Sequence, residues 1–216
     1  MEEGNKRLLP IPKIGEVGAG YCYVPEGWFF AGGDSEAPNS LDEEHVWSDG
    51  FIISESPITH HQYLEFINDI AATKGPEAAI LWAPRDQANA ADGAGKILYA
   101  WNGSKFQHVE GDSVHMLPVT HVTWYCGLAY AQWLAPKTGL PWRLPLELEW
   151  EKAARGVDRR RFPWGDKFDS AFCVMKDSHH GEPEIKNVHE NVFDVSVYGV
   201  KSMAGNTREW CLDVYR

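Results

Sequence analysis

The side chains of this 216-residue sequence that could do chemistry are four cysteines, nine histidines and a run of glutamates. Cys22, Cys126, Cys173 and Cys211 are scattered, with no Cys-x-x-Cys pair to hold zinc, and are too sparse to frame a disulfide-rich small domain. They read as buried free thiols, with a disulfide among them left open. The histidines include two adjacent pairs, His60-His61 and His179-His180, and sequence neighbours do not easily converge on one metal from a helix. His60 and His61 read as solvated at an exposed helix start, and His121, beside an apolar strand, as a satisfied core side chain. Glu147, Glu149 and Glu151 are tempting as acid–base groups. Their place in the first turns of a short helix explains them otherwise, since negative charge there complements the helix dipole while the side chains point to water.

That short helix is well punctuated. Pro145 suits a first helical position, Leu146, Trp150 and Ala153 or Ala154 form an apolar stripe, Lys152 and Arg155 occupy the last turn, and Gly156 can adopt the left-handed stop. A longer helix is predicted after Thr59, which stands in capping-box spacing with Gln62, because Tyr63, Phe66, Ile67 and Ile70 recur at helical intervals up to Gly75-Pro76. Another runs from Thr123 as N-cap through Trp124, Leu128, Tyr130, Ala131 and Leu134, closed by Pro136 and Gly139.

The remaining elements read as short strands. Residues 21–24 and 28–31 flank a Pro-Glu-Gly turn and suggest a hairpin with each other. Residues 45–53 read as extended chain. Residues 76–116 read as an insertion carrying a hairpin about Asn102-Gly103. Trp210, Leu212 and Val214 alternate as in a strand. Residues 1–20, rich in Pro and Gly, read as an arm, and residues 21–216 as one domain. Two helices against irregular strands and long loops make an α+β arrangement.

Composition narrows the function classes. Twenty basic against 31 acidic residues give a formal charge of −11, which disfavours a nucleic-acid backbone as partner. The one basic cluster, Arg159-Arg160-Arg161, is brief. No apolar run approaches the roughly twenty residues of a membrane helix, so no membrane partner is expected. The first residues lack a signal peptide's apolar stretch, and the expected address is cytoplasmic.

Six ordered blocks resemble the formylglycine-generating enzyme, or sulfatase-modifying factor, family. They are Val24-Pro-Glu-Gly-Trp-Phe-Phe-Ala-Gly-Gly33; Phe51-Ile-Ile-Ser-Glu-Ser-Pro-Ile-Thr59; Leu117-Pro-Val-Thr-His-Val-Thr-Trp-Tyr125 with Ala129-Tyr-Ala-Gln-Trp133; Trp142-Arg-Leu-Pro145 with Glu149-Trp-Glu-Lys-Ala-Ala-Arg-Gly156; Phe162-Pro-Trp-Gly165; and Tyr198-Gly with Met203-Ala-Gly-Asn-Thr-Arg-Glu-Trp210. The resemblance implies the α+β, C-type-lectin-like formylglycine-generating-enzyme fold, with two main helices, short irregular strands and long loops. In that family's pattern Leu146 replaces a customary Thr N-cap.

The resemblance also bears on metals. The family's oxidase chemistry uses a copper-binding cysteine pair near the carboxy terminus, after an Arg-Gly-Gly-Ser-Trp-like stretch, and this sequence stops at Arg216 before one. Copper(I) needs two soft thiolates close together, and none of the four cysteines matches the family's catalytic positions. Copper is therefore expected only if a carboxy-terminal part absent from this chain supplies the pair. A structural calcium ion is the other implied metal: Gly205, Thr207 and Glu209 align with the family's calcium loop, with Ser202 in place of the usual Asn. At the family's other calcium loop Phe172 stands where Asn is usual, and no metal is expected. The iron-binding histidines of the family's sulfoxide synthases come largely from a separate helical domain.

The expectation is thus a non-catalytic, regulatory or protein/peptide-binding member without catalytic residues of its own, completed in some forms by a second chain or segment. The alternatives are the amino-terminal part of a copper-dependent formylglycine-generating oxidase acting on sulfatase cysteine, and a ligand-binding diversity-generating variable protein.

Overall fold

The computed structural model describes residues 12–13, 16–37, 40–86, 95–178, 184–190 and 192–214. The expected pair His179-His180 lies outside them. Strands β1 (Tyr21–Val24) and β2 (Gly27–Ala31) do not pair with each other. Instead β1 pairs with β4 (Phe51–Ser54) and β2 with β3 (Glu44–Ser48), all antiparallel. The register runs unbroken from Tyr21↔Ser54 through Val24↔Phe51 and Gly27↔Ser48 to Ala31↔Glu44, so the four strands form one long ribbon with a gap in its middle. The predicted hairpin at Pro25-Glu26 fails for a steric reason: tight two-residue hairpin turns require a positive φ that proline cannot adopt.

Helix α1 (His60–Lys74) begins at Thr59, whose hydroxyl accepts the Gln62 N–H while the Gln62 side chain returns to the Thr59 N–H at 2.9 Å. It ends at Gly75, where φ is 89°, and Pro76 opens the one-turn helix α2 (Pro76–Ala79). Strands β5 (Arg85–Asp86) and β6 (Lys96–Ile97) pair, as do β7 (Tyr99–Trp101) and β8 (Phe106–His108), with Asn102 Oδ1 accepting the N–H groups of Ser104 and Lys105 across the predicted turn. This hairpin is part of the core. Tyr99 and Phe106 are buried against Tyr63, Phe66 and Ile67, and Asn68 on α1 clasps the Phe106 backbone from both sides.

Helix α3 (Trp124–Thr138) is capped by Thr123 and runs past Pro136 to Gly139, which takes the left-handed conformation. Pro136 sits in the last turn, so one missing N–H shortens the ladder without ending the helix. The Trp133 indole donates to Asp69 at 2.8 Å, tying α3 to α1.

Helix α4 (Glu147–Arg155) starts from Leu146, so Pro145 lies outside it, ahead of the cap position. Glu149 replaces the missing cap from within, accepting the Leu146 N–H at 2.8 Å and clamping Arg143 through both oxygens. Glu151 pairs with Arg155 and accepts the Gly32 N–H at 2.9 Å. These two glutamates are therefore structural ties between elements, which corrects their expected role as solvated charges. Ala153 and Ala154 pack with Val24, Val200 and Met203 in a second core between α4 and the ribbon.

The predicted strand at 210–214 does not form. Its N–H groups find scattered carbonyls: Leu212 donates to Pro145 at 2.7 Å and the Trp210 indole to Val122 at 3.0 Å. Alternation supplies a face, but a strand needs a ladder partner, and none of the described residues offers one. Among the described residues, no helix is long and apolar enough to cross a membrane.

Candidate functional site

A recess of about 240 Å³ opens where the start of α1 meets the β7–β8 hairpin and the segment before α3; His60, Asp86, His108, Glu110, Thr120 and His121 supply its polar lining. The capping box makes His60 the first helical residue, and the carbonyls of Leu117 and His115 take the N–H groups of His60 and His61. The helix start is thereby locked, and its amides are occupied.

His60 is 4% exposed, contrary to the expected solvated position, while His61 beside it is exposed as predicted. The hairpin covers His60: its Nδ1 lies 2.8 Å from the Tyr99 hydroxyl and its ring centroid 4.7 Å from that of His108, edge to face. His108 Nδ1 accepts the Glu110 N–H at 3.1 Å. Burial lowers His60 to about 4, helped by the neighbouring imidazoles His108, His115 and His121. Burial also lowers His108, with Glu110 opposing the shift. Both rings are neutral near physiological pH.

His121 is exposed rather than in the core. With φ at 58° it turns its carbonyl to the Arg85 N–H at 3.0 Å and leaves its side chain at the mouth of the recess. Sequence reasoning missed this grouping because its members come from four separate stretches. The only local signal was the capping box, which marks His60 as a helix-start residue but not what covers it.

The expected calcium residues lie in the chain that folds around Asp194. That carboxylate, 1% exposed, accepts the N–H groups of Met203 at 3.1 Å and Ala204 at 2.9 Å, and its carbonyl accepts the Ser202 N–H. Burial raises the Asp194 carboxyl against those two donors. Ser202 has φ at 60°, the Gly205 carbonyl accepts the Thr207 N–H at 2.9 Å, and Glu209 Oε2 accepts the Trp150 indole at 2.6 Å. Packed protein raises the Glu209 carboxyl above the usual carboxylate range despite that indole donor, with Asp194 adding to the rise. The residue keeps an exposed surface, so water limits this rise. The structure thus places Ser202 beside Asp194 and Glu209 against α4.

The four cysteines are free and occupy four different surroundings. Cys22 lies against Gly199 with Glu55 and Lys201 near, Cys126 meets the Thr123 hydroxyl at 3.2 Å, Cys173 lies near Ser178 and Asp194, and Cys211 is ringed by Glu147, Glu209, Asp213 and Glu149. Burial raises the Cys22 and Cys173 thiols, and burial with those carboxylates pushes Cys211 up to about 11. A copper pair needs two converging thiolates, and the described residues do not provide them. Nor does any group of three or more His, Cys, Asp or Glu converge as a metal site among the described residues. The calcium set, with its single carboxylate, would draw on hydroxyl and carbonyl oxygens instead.

Residues 13–216 match the sequence model of the Sulfatase-modifying factor enzyme 1-like domain. The chain belongs to this sulfatase-modifying factor family. It is 33% identical over 218 residues to the hercynine oxygenase of Mycolicibacterium smegmatis, a match that takes in 94% of this chain and 47% of that protein. It is 28% identical over 237 residues to the formylglycine-generating enzyme of Thermomonospora curvata, covering 95% of this chain and 75% of that enzyme. The chain therefore spans about half the length of the first relative. The structure of PvdO from Pseudomonas aeruginosa superposes with a TM-score of 0.66 at 21% identity, over 91% of this chain and 71% of that one, which shows the shared α+β fold. The sulfatase-modifying factor fold is thus present here with a neutral imidazole pair in a recess, a 194–209 loop folded about Asp194, and dispersed thiols.

Proposed function

We propose that this chain is a binding member of the sulfatase-modifying factor family, a scaffold that engages a protein or peptide and does not itself carry redox chemistry. The observation that supports this reading is the separation of the four thiols, three of them raised in pKa and so held as thiols. A copper oxidase needs the reverse, a converging thiolate pair. The partner of this reading is a protein or peptide, including a second chain that completes the domain. Nucleic acid is disfavoured by the charge of −11. Four free cysteines suit a reducing compartment such as the cytoplasm. The chain loaded with copper and given a Cys-x-Pro-x-Arg peptide is expected to leave the cysteine unmodified in mass spectra. Conversion to formylglycine would sink the reading.

A structural calcium ion belongs to the same proposal. Glu209 keeps one carboxylate oxygen not used by Trp150, and Ser202, Gly205 and Thr207 supply further oxygens of the hard kind calcium takes. Such an ion would brace the 202–209 loop and would do no chemistry. Because Trp150 touches Glu209, calcium binding is expected to change Trp150 fluorescence saturably, with loss of the change in Glu209→Gln.

A second reading makes this chain the amino-terminal part of a copper-dependent formylglycine-generating oxidase. It is favoured by the match to a formylglycine-generating enzyme over 95% of the chain. A coding sequence that continues past Arg216 into a cysteine pair would support it, and a stop codon there would remove it.

A further inference from the structure

Three stretches of chain cross at Asn206. Its side chain clasps the Lys186 backbone, Oδ1 accepting the Lys186 N–H at 2.9 Å and Nδ2 donating to the Lys186 carbonyl at 2.9 Å, while its own N–H donates to the Val174 carbonyl at 2.7 Å. Asn206 holds φ at 68°, a left-handed conformation that asparagine tolerates. Beside this junction lies a cleft of about 630 Å³, with Val174, Met175 and Ile185 as its apolar part and Lys176 and Arg208 as its cations.

Those two cations stand out in this chain. Arg85, Arg143, Arg155, Arg159, Arg160 and Arg161 each hold a carbonyl or a carboxylate. Arg208 is the described arginine that holds none, and the Lys176 ammonium likewise has no hydrogen bond or ion pair among the described residues. Glu209, next to Arg208 in the chain, turns to the Trp150 indole on α4, whereas Arg208 lines the cleft. The acid in the wall is already matched, since Glu184 Oε2 accepts Lys186 Nζ at 2.7 Å. With 31 acidic residues against 20 basic ones, the chain does not leave two cations at one cleft for want of carboxylates.

Two positive charges beside an apolar wall select an anion with an apolar body. The planar fork of Arg208 fits both oxygens of a carboxylate, and Lys176 adds a point charge. A phosphate cradle would draw on backbone N–H groups. Here the Asn206 and Lys186 amides are spent on the junction. We propose that this cleft binds a small organic carboxylate with an apolar group next to its acid, either free or as the last residue of a peptide. The volume lies within the range of pockets that hold organic ligands. The site goes beyond the scaffold reading and does not rest on it, since no thiol takes part.

The test is an NMR titration of the full chain at constant calcium, following the Arg208 Nε–H signal, with N-acetylleucine as probe and N-acetylleucinamide, acetate and inorganic phosphate as comparisons. N-acetylleucine is expected to shift that signal saturably. Its amide, lacking the charge, and acetate, lacking the apolar group, should each bind about tenfold more weakly or worse. Arg208→Gln and Lys176→Gln change exposed side chains and should leave the melting temperature unchanged. In calorimetry the first should weaken N-acetylleucine by about tenfold and the second by about threefold. Lys74→Gln, in the last turn of α1 and outside the cleft, should change nothing. Tighter binding of acetyl-Gly-Gly-Leu than of N-acetylleucine would assign the acid to a peptide end, and equal or weaker binding to a free molecule; both uphold the site. The proposal is overturned by no saturable shift at Arg208, by the amide, acetate or phosphate binding as tightly as N-acetylleucine, or by Arg208→Gln leaving the affinity unchanged.

Discussion

Lys152 reaches from α4 to Pro25 and hydrogen-bonds its carbonyl at 2.6 Å, and that of Gly27 at 3.1 Å, with its residue only 1% exposed. These carbonyls lie at the gap in the ribbon, where Pro25 and Glu26 interrupt the ladder. A buried ammonium thus replaces the missing strand partner and joins helix to sheet. Lys152→Met removes the donor and leaves two carbonyls without it, at about 1–3 kcal/mol for a buried orphan. Urea unfolding is expected to show a loss of about 2–4 kcal/mol, and a loss indistinguishable from a surface Lys→Met control would contradict this role.

His60 makes stability depend on pH. Its folded value is about 4 against 6.5 when exposed, so between those values the unfolded chain binds the extra proton. Stability is then full above about 6.5, falls as pH drops toward 4, and is flat below, with a total on the order of 3 kcal/mol from this group. His108, lowered in the same direction, adds to the fall. The slope of the urea midpoint in that window should flatten in His60→Gln.

Gly205 is required by a close approach. A Cβ there would lie 2.5 Å from the Val174 carbonyl oxygen, which is backbone and cannot swing aside. Gly205→Ala should destabilise by about 1–3 kcal/mol through a forced backbone shift. It should also blunt the calcium response proposed for the loop, and an unchanged melting temperature would mean that the two backbones separate freely.

Cys211 should be a sluggish nucleophile. Its thiol is pushed up to about 11 by burial and by surrounding carboxylates, and only the thiolate reacts. Labelling with a disulfide reagent is expected to be slow near neutral pH and to accelerate as pH approaches that value. Glu147→Gln should speed it by easing one of the repulsions.

The parts legible in advance were those whose hydrogen bonds close locally. The Thr59–Gln62 box, the Thr123 cap, the Gly75 and Gly139 stops and the Asn102-Gly103 turn stand where predicted, because each satisfies its backbone groups within about four residues. The fold followed from the order of the family blocks. The parts not legible were matters of partnership at a distance. The aromatic runs at 21–24 and 28–31 looked like each other's partners, and alternation at 210–214 looked like a strand. Glu149 and Glu151 looked solvated until Arg143, Arg155 and Gly32 arrived beside them.

The candidate recess shows the same division most clearly. By itself the sequence determined that His60 begins a capped helix, that a hairpin turns at Asn102-Gly103, and that the cysteines form no closely spaced pair. Only the tertiary structure decided that the hairpin folds over the helix start, burying His60 against Tyr99 and His108. The reason is physical: a cap or turn is settled by neighbours along the chain, whereas burial, and the lowered pKa that follows from it, depend on which groups, some forty residues away, complete the surroundings.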